Sequence, residues 1–179
     1  MDLYTALSHR WGADDHKYRT TRANFEARCK EIKFNELPLT FQNAIDVTRK
    51  LGVQYLWIDS ICIIQDSCED VRQECSRMEE VYALAYCTLA ATSAKDCNKG
   101  FFRNDNDASL GPDDRYESLC IRKLDENFAR DVEQAELNQR GWVFQERALS
   151  RRIIHFAGTQ TYWECGNMVS CESADPITE

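Results

Sequence analysis

The sequence predicts an α/β domain built on a mainly parallel sheet flanked by helices, with a C-terminal β-hairpin and long surface loops. Three observations carry that prediction. Stretches of strand character alternate with stretches of helical period through the first half of the chain, the pattern that a parallel sheet with helical crossovers produces. Residues 53–58 (VQYLWI) are almost continuously apolar, which suits a central strand covered on both faces. Near the end, 152–156 and 161–165 are short apolar-rich runs joined by 157–160 with Gly158, which reads as a hairpin and predicts a mixed sheet edge.

In chain order, residues 4–8 (YTALS) form a short strand that runs into a polar loop of His9, Arg10, Trp11 and Gly12. A loop of this kind after a strand is a common place for a ligand in an α/β domain. Residues 13–33 are polar and without sustained period, which predicts a long loop with a turn of helix and room for mobility. Pro38 opens a helix on which Phe41, Ala44, Ile45, Thr48 and Leu51 keep a 3.6 period, and Gly52 is placed to end it. The strand 53–58 follows and terminates at Asp59. Ser67 is placed to cap the next helix, with Asp70 three residues on in a variant of the capping box, and Val71, Cys75, Met78, Tyr82 and Ala85 line one helical face. Residues 86–91 (YCTLAA) are the next strand. Residues 92–112 are rich in Ser, Asn, Asp and Gly, anchored only by Phe101 and Phe102, and predict an excursion over the surface. A further short strand is expected at 119–121 and weak helix over 125–136. The stretch 137–156 (LNQRGWVFQERALSRRIIHF) predicts a helix leading into an apolar strand. Residues 1–171 are expected to form one domain, and 172–179 a flexible tail.

Composition narrows the function classes. A chain of 179 residues with 43% apolar residues can bury one sizeable core. A net charge of -8 argues against sequence-independent nucleic-acid binding, which needs a basic surface to neutralise phosphates. Nothing approaches a membrane span, and no basic segment followed by an apolar stretch opens the chain, so a cytoplasmic protein without membrane partners is expected. The nine cysteines include no CxxC pair, and the spacings of Cys62, Cys68 and Cys75, and of Cys165 and Cys171, are not those of zinc sites. No metal is expected. Cys62 in an apolar run, Cys75 on an apolar helix face and Cys87 in a strand read as small hydrophobes, and the odd count argues against a disulfide framework. GxSxG, P-loop, GxGxxG and HExxH motifs are all absent, so any nucleotide must be held by side chains and ordinary loop amides.

One carboxylate stands out. On a helix, Trp142, Glu146 and Leu149 share a face, and the neighbours of Glu146 three and four residues away are Trp142, Val143, Leu149 and Ser150. No basic residue of its own helix can pair with it, so it must meet water, a partner from elsewhere or a ligand; partial desolvation raises the pKa of such a group. From this stretch alone the plainer reading is a half-buried helix whose glutamate reaches solvent or a distant arginine. Asp59, at the end of its strand, is either a turn cap or a group that holds ribose hydroxyls or a cation.

Three blocks, YTALSHRWG, YLWIDSICIIQD followed by a helix with MEEVYALA, and LNQRGWVFQERALS, occur in that order over almost the whole chain. They resemble the sequence blocks of the fungal heterokaryon incompatibility (HET) domain. Two departures are visible: Ile64 in CIIQ stands where that family usually has Asn, which weakens any role for a polar side chain there, and Gly141 where it more often has Ala. The resemblance implies an effector of allorecognition that triggers programmed cell death when genetically unlike hyphae fuse. The family is distantly similar to TIR domains, which implies a flavodoxin-like fold and, as in some TIR domains, hydrolysis of NAD at the nicotinamide–ribose bond. NAD or a related nucleotide would be a substrate; no cofactor would be bound permanently. WVFQE resembles the TIR arrangement of a glutamate a few residues after a tryptophan, so Glu146 matches the catalytic glutamate. Ser8 and Arg10 match the loop that lines the nucleotide site, which also holds Trp11 and Gly12. On this reading Trp142 packs against nicotinamide or ribose, Arg10 or Arg140 and loop amides hold the pyrophosphate, and Asp59 binds the second ribose. Each has a plainer role as well: Trp142 as core aromatic, Arg140 as partner of a surface carboxylate, Asp59 as turn cap.

Two other functions fit the residues. The domain can be a non-enzymatic signalling module that self-associates through homotypic contacts, with exposed helices and the acidic stretch 104–114 as interfaces. What separates this from the enzyme is whether Glu146 lies in a concave pocket near Ser8 and Asp59 or is buried in a salt bridge. A cysteine hydrolase would pair a thiol with His9, His16 or His155, but Cys62 sits where a thiolate is costly and His155 alternates within an apolar strand.

Overall fold

The computed structural model describes residues 2–12, 15–102, 128–139, 141–166, 168–172 and 176–177. These form seven strands and five α-helices: β1 (Tyr4–Ser8), α1 (Phe25–Lys30), α2 (Leu39–Lys50), β2 (Tyr55–Trp57), α3 (Asp59–Cys62), α4 (Cys68–Leu84), β3 (Cys87–Ala90), α5 (Gly141–Leu149), β4 (Arg152–Phe156), β5 (Thr161–Cys165), β6 (Met168–Cys171) and β7 (Pro176–Ile177). The sheet order is β2-β1-β3-β4-β5-β6-β7. The first four strands are mutually parallel, and the rest extend the sheet as an antiparallel meander. This is an α/β fold of the flavodoxin and TIR type, with the expected β4–β5 hairpin forming the junction to the meander. Within the stretch expected as a tail, Pro176 and Ile177 pair with β6.

The alternation of β1 divides the core into two layers. Thr5 and Leu7 face α2: Thr5 Oγ1 lies 2.7 Å from Thr48 Oγ1, and Leu7 packs with Phe41, Ala44 and Val47 of α2 and with Leu89 of β3. Ala6 points to the opposite face, where Tyr82 and Ala85 cover it and Leu149 of α5 joins the cluster. Ala90, Leu137, Val143 and Ile153 complete the packing under α5. The sheet is therefore sandwiched between α2 on one side and α4 with α5 on the other.

The helices end where their residues dictate. Gly52, at a φ of 70°, takes the left-handed conformation just beyond α2 that favours glycine. Pro38 stands at the N-cap of α2 rather than inside it. Ser67 caps α4 by accepting from the Asp70 amide. The Asp70 carboxylate does not return to the cap residue; it accepts from Ile64 N at 2.7 Å and so ties the preceding turn to the helix.

Several expectations are corrected. Strand 53–58 is not central: β2 is the edge of the sheet, and Tyr55 is 48% exposed. Its apolar run is explained by helices rather than by strand neighbours, since Leu56 packs toward α2 while Trp57 packs edge-on against Tyr82 of α4, with ring centroids 5.8 Å apart. Cys62 and Cys75 are exposed, whereas Cys87 is buried as expected and its thiol is pushed up to about 11 by burial. On α2, Leu51 is exposed and Ile45 half-buried. The described part of the segment after β3, residues 92–102, does not run over the surface: Ala94, Cys97 and Phe101 are buried in the α2-side core, and Phe101 stacks at 4.4 Å on Phe156. Residues 15–33 hold the short helix α1, in keeping with the turn of helix expected there, and are pinned by a bridge between Thr20 and Ile64. The strand expected at 119–121 and the acidic stretch 104–114 lie outside the described residues.

Candidate functional site

In this sheet order β1 is followed in sequence by the edge strand β2 on one side and β3 by β4 on the other, so the carboxyl ends of β1 and β3, with the loops that leave them, form a switch point, the place where open α/β sheets bind ligands. The two loops are packed closely there. A Cβ added to Gly12 would lie 2.9 Å from Asp96 Cβ, so glycine is what lets the loop after β1 approach the loop after β3.

The site is built from the face of β1 that carries Ala6 and, two residues on, Ser8. Ser8 is 3% exposed, and its Oγ is buried with no hydrogen-bond partner among the described residues; the same is true of Ser60 Oγ at the start of α3. Asp59 follows β2. Its Oδ1 accepts from Ser60 N at 2.7 Å, and its Oδ2 accepts from the Trp11 indole at 2.9 Å. His9 Nδ1 is 3.9 Å from Asp59 Oδ1, and the His9 ring is buried edge-on against Phe41, 5.0 Å between centroids.

Over this strand end lies Tyr82. Helical side chains lean toward the N-terminus of their helix, and this one carries its hydroxyl under α4 to within 3.5 Å of the Leu7 carbonyl. The ring is 2% exposed. Glu146, on α5, lies near the same hydroxyl, with its Oε2 shut off from solvent. Burial, and after it the charges of Glu146 and Asp59, push the ionisation of Tyr82 well above the usual phenol range. One neutral hydroxyl thus stands between two carboxylates brought from different ends of the chain.

Of the residues singled out in the sequence, Asp59 and Glu146 both lie near the Tyr82 hydroxyl, and Ser8 is the last residue of β1. Trp11 joins them as a donor to Asp59, with the Arg19 guanidinium stacked 4.6 Å over its ring. Arg10 is turned outward and paired with Glu136. Gly12 is a packing position. Arg140 lies outside the described residues, and of Trp142 only the backbone, in α5, is described. Clefts of about 480, 270 and 220 Å³ open at the β2 edge, beside α5 and around residues 17–37, and none of the three is lined by Ser8, Asp59, Tyr82 or Glu146. Among the described residues no group of three or more His, Cys, Asp or Glu side chains is arranged to hold a metal ion, and no helix is long and apolar enough to cross a membrane.

Sequence reasoning missed Tyr82, His9 and Ser60 as members of the site. In the sequence Tyr82 reads only as part of the apolar face of its helix. The signal for it was a hydroxyl on that face, since a buried tyrosine needs a hydrogen-bond partner.

A second polar cluster fixes α5 to the meander. Arg147 makes a bidentate ion pair with Glu164 of β5, its Nη2 2.8 Å from Oε1 and its Nε 2.9 Å from Oε2. The same Oε2 lies 2.7 Å from His155 Nε2 of β4. Burial opposes ionisation of Glu164, but hydrogen bonds from His155 and Arg147 outweigh it and bring the carboxyl down to about 2. His155 is the structural histidine its alternation predicts: burial lowers its pKa against the pull of Glu164.

A family model described as heterokaryon incompatibility protein (HET) matches residues 4–146, most of the chain. The chain belongs to the heterokaryon incompatibility family. Neither the curated proteins nor the solved structures contain a match. The matched region runs from the first residue of β1 to Glu146.

Proposed function

We propose that this domain is an effector of heterokaryon incompatibility that hydrolyses NAD at the nicotinamide–ribose bond, and that loss of NAD in the cytoplasm triggers cell death. The observation that supports this reading is the convergence of Glu146, from α5, and Asp59, from the end of β2, on the buried Tyr82 hydroxyl beside the carboxyl end of β1. Cleavage of the glycosidic bond leaves neutral nicotinamide and develops positive charge on the ribose. A carboxylate partly withdrawn from water stabilises that charge more strongly than a solvated one. Water then adds to the ribose carbon and gives up a proton, for which Glu146 is the acceptor. Asp59 is the group for ribose hydroxyls, once its bond from Trp11 is exchanged. Arg10 serves the pyrophosphate at little cost, since an exposed pair such as that with Glu136 is worth about 1 kcal/mol or less.

The test is nicotinamide release from NAD by the purified protein over a range of protein concentrations. Release that grows in proportion to protein supports the reading. Absence of release at every concentration favours the alternative, a non-enzymatic module that self-associates. For that alternative the supporting observations are that none of the three clefts is lined by Ser8, Asp59 or Glu146 and that Phe144 is 71% exposed on the outer side of α5. Release that rises more steeply than protein concentration would join the two, with assembly completing the site.

A further inference from the structure

The sheet ends at β2, which pairs with β1 alone; among the described residues no strand lies beyond it. An edge strand presents backbone amides and carbonyls without ladder partners, and proteins blunt such edges with charged side chains, proline or short strands. Tyr55, Leu56 and Trp57 are neither charged nor proline, so only the shortness of β2 limits its pairing. Beside this edge, on the side of α4, lies the largest of the three clefts, about 480 Å³, with Tyr55 and Trp57 on one wall and Leu84 on another. Tyr55 and Leu84 are each 48% exposed, so the cleft shows apolar surface to water. A cavity of about 150 Å³ holds a benzene ring, which leaves room here for a large side chain and part of its backbone.

The rim decides what fits. Asp2, Glu74 and Glu80 stand against one cation, Arg77, which lies 3.5 Å from Glu74 and 3.8 Å from Glu80. This excess of negative charge, on a chain of net charge -8, opposes a second copy, which would bring two such rims together, and favours a basic partner. The pleat sets the spacing. Trp57 packs against Tyr82 of α4, so Trp57 and Tyr55 project to the cleft side while Leu56 packs toward α2. A strand added along β2 alternates in the same way and places side chains two residues apart over the cleft.

We propose that the β2 edge and this cleft bind an extended, basic segment of a partner protein. The segment adds an eighth strand to the sheet, one apolar side chain enters the cleft against Tyr55 and Leu84, and an arginine or lysine two residues away reaches Glu74 and Glu80. Main-chain bonds supply the affinity, and the apolar and basic side chains supply the selection. This docking is independent of NAD cleavage, since Ser8, Asp59 and Glu146 do not line the cleft.

The experiment is amide NMR of isotope-labelled protein titrated with acetylated heptapeptides that are threonine throughout, except for arginine at the fifth position and valine, leucine or phenylalanine at the third. Saturable shifts are expected at residues 55–57 and on the cleft side of α4. Glutamate in place of the arginine should weaken binding at least about fivefold, the scale of one exposed ion pair. Methylation of the peptide amides that face β2 should abolish binding, which tests strand addition without altering the protein. Glu80→Lys, at an exposed position of α4, leaves Asp2 and Glu74 against Arg77 and the new cation, and should erase the preference for arginine over glutamate. The proposal is overturned by the absence of saturable shifts at 55–57 with every peptide, by equal affinity for the arginine and glutamate peptides, or by a preference that survives Glu80→Lys undiminished. Shifts at 55–57 that depend on protein concentration without peptide would assign the edge to a second copy and overturn it equally.

Discussion

Glu164→Gln tests how α5, and with it Glu146, is held on the sheet. The substitution keeps the shape of the side chain and removes the charge that Arg147 and His155 share. Glu164 is lowered from 4.5 to about 2, a difference worth about 3 kcal/mol at about 1.4 kcal/mol per pH unit. Part of that attraction is to His155, which burial keeps neutral near pH 7, so the loss expected there is smaller, about 2 kcal/mol. The side chain of Glu164 is 21% exposed, which leaves most of the interaction unscreened by solvent. The sign follows from the depressed pKa. Stability supplied by the ionised carboxylate is fully present above 4.5 and is lost as pH falls toward 2. Urea unfolding of wild-type and variant protein at a series of pH values measures this. The variant should be less stable by about 2 kcal/mol at pH 7, and the two curves should converge as pH approaches 2. Equal stabilities at pH 7, or a gap that persists undiminished at the lowest pH where both fold, would refute the reasoning.

Two further substitutions test the fold around the site. Ser67→Ala removes the cap of α4 and should cost about 0.5–1 kcal/mol in urea unfolding, toward the low end because the capping bond is 3.5 Å long. Gly100→Ala should cost about 2 kcal/mol and lower Tm by about 6 °C, because Gly100 sits at a φ of 69° and the new Cβ would lie 2.7 Å from Asn43 Oδ1 and 2.9 Å from Leu39. A thermal midpoint unchanged by that substitution would contradict the described packing of the segment after β3.

Much of this architecture is legible in local pattern because local chemistry sets it. Gly52 ends α2, Ser67 caps α4, and the β4–β5 hairpin falls on the residues expected for it. What local pattern cannot carry is which element covers which. The run 53–58 looks central because a strand flanked by α2 and α4 is apolar on both faces even at a sheet edge. Residues 92–101 look like surface because their small and polar side chains hide that Ala94, Cys97 and Phe101 close the core below α2. The site is legible to the same degree. Ser8, Asp59 and Glu146 stand out as polar groups at the ends or faces of apolar elements, and of these Asp59 and Glu146 both lie near the Tyr82 hydroxyl. Tyr82 and His9 do not stand out, because each reads as an ordinary part of an apolar surface until Glu146 and Asp59 are brought beside them. Arg10 stands out as a cation after a strand, yet its partner Glu136 lies on a segment whose docking no short-range pattern encodes.

The central claim is that Glu146 is the essential carboxylate of an NAD-cleaving site. Nicotinamide release by wild-type protein and by Glu146→Gln, compared at equal concentration with folding verified by circular dichroism, tests it most directly. The wild-type protein should release nicotinamide, and the variant should release it at least about 100-fold more slowly, the scale of removing an electrostatic stabiliser of the transition state. Undiminished release by folded Glu146→Gln would contradict it.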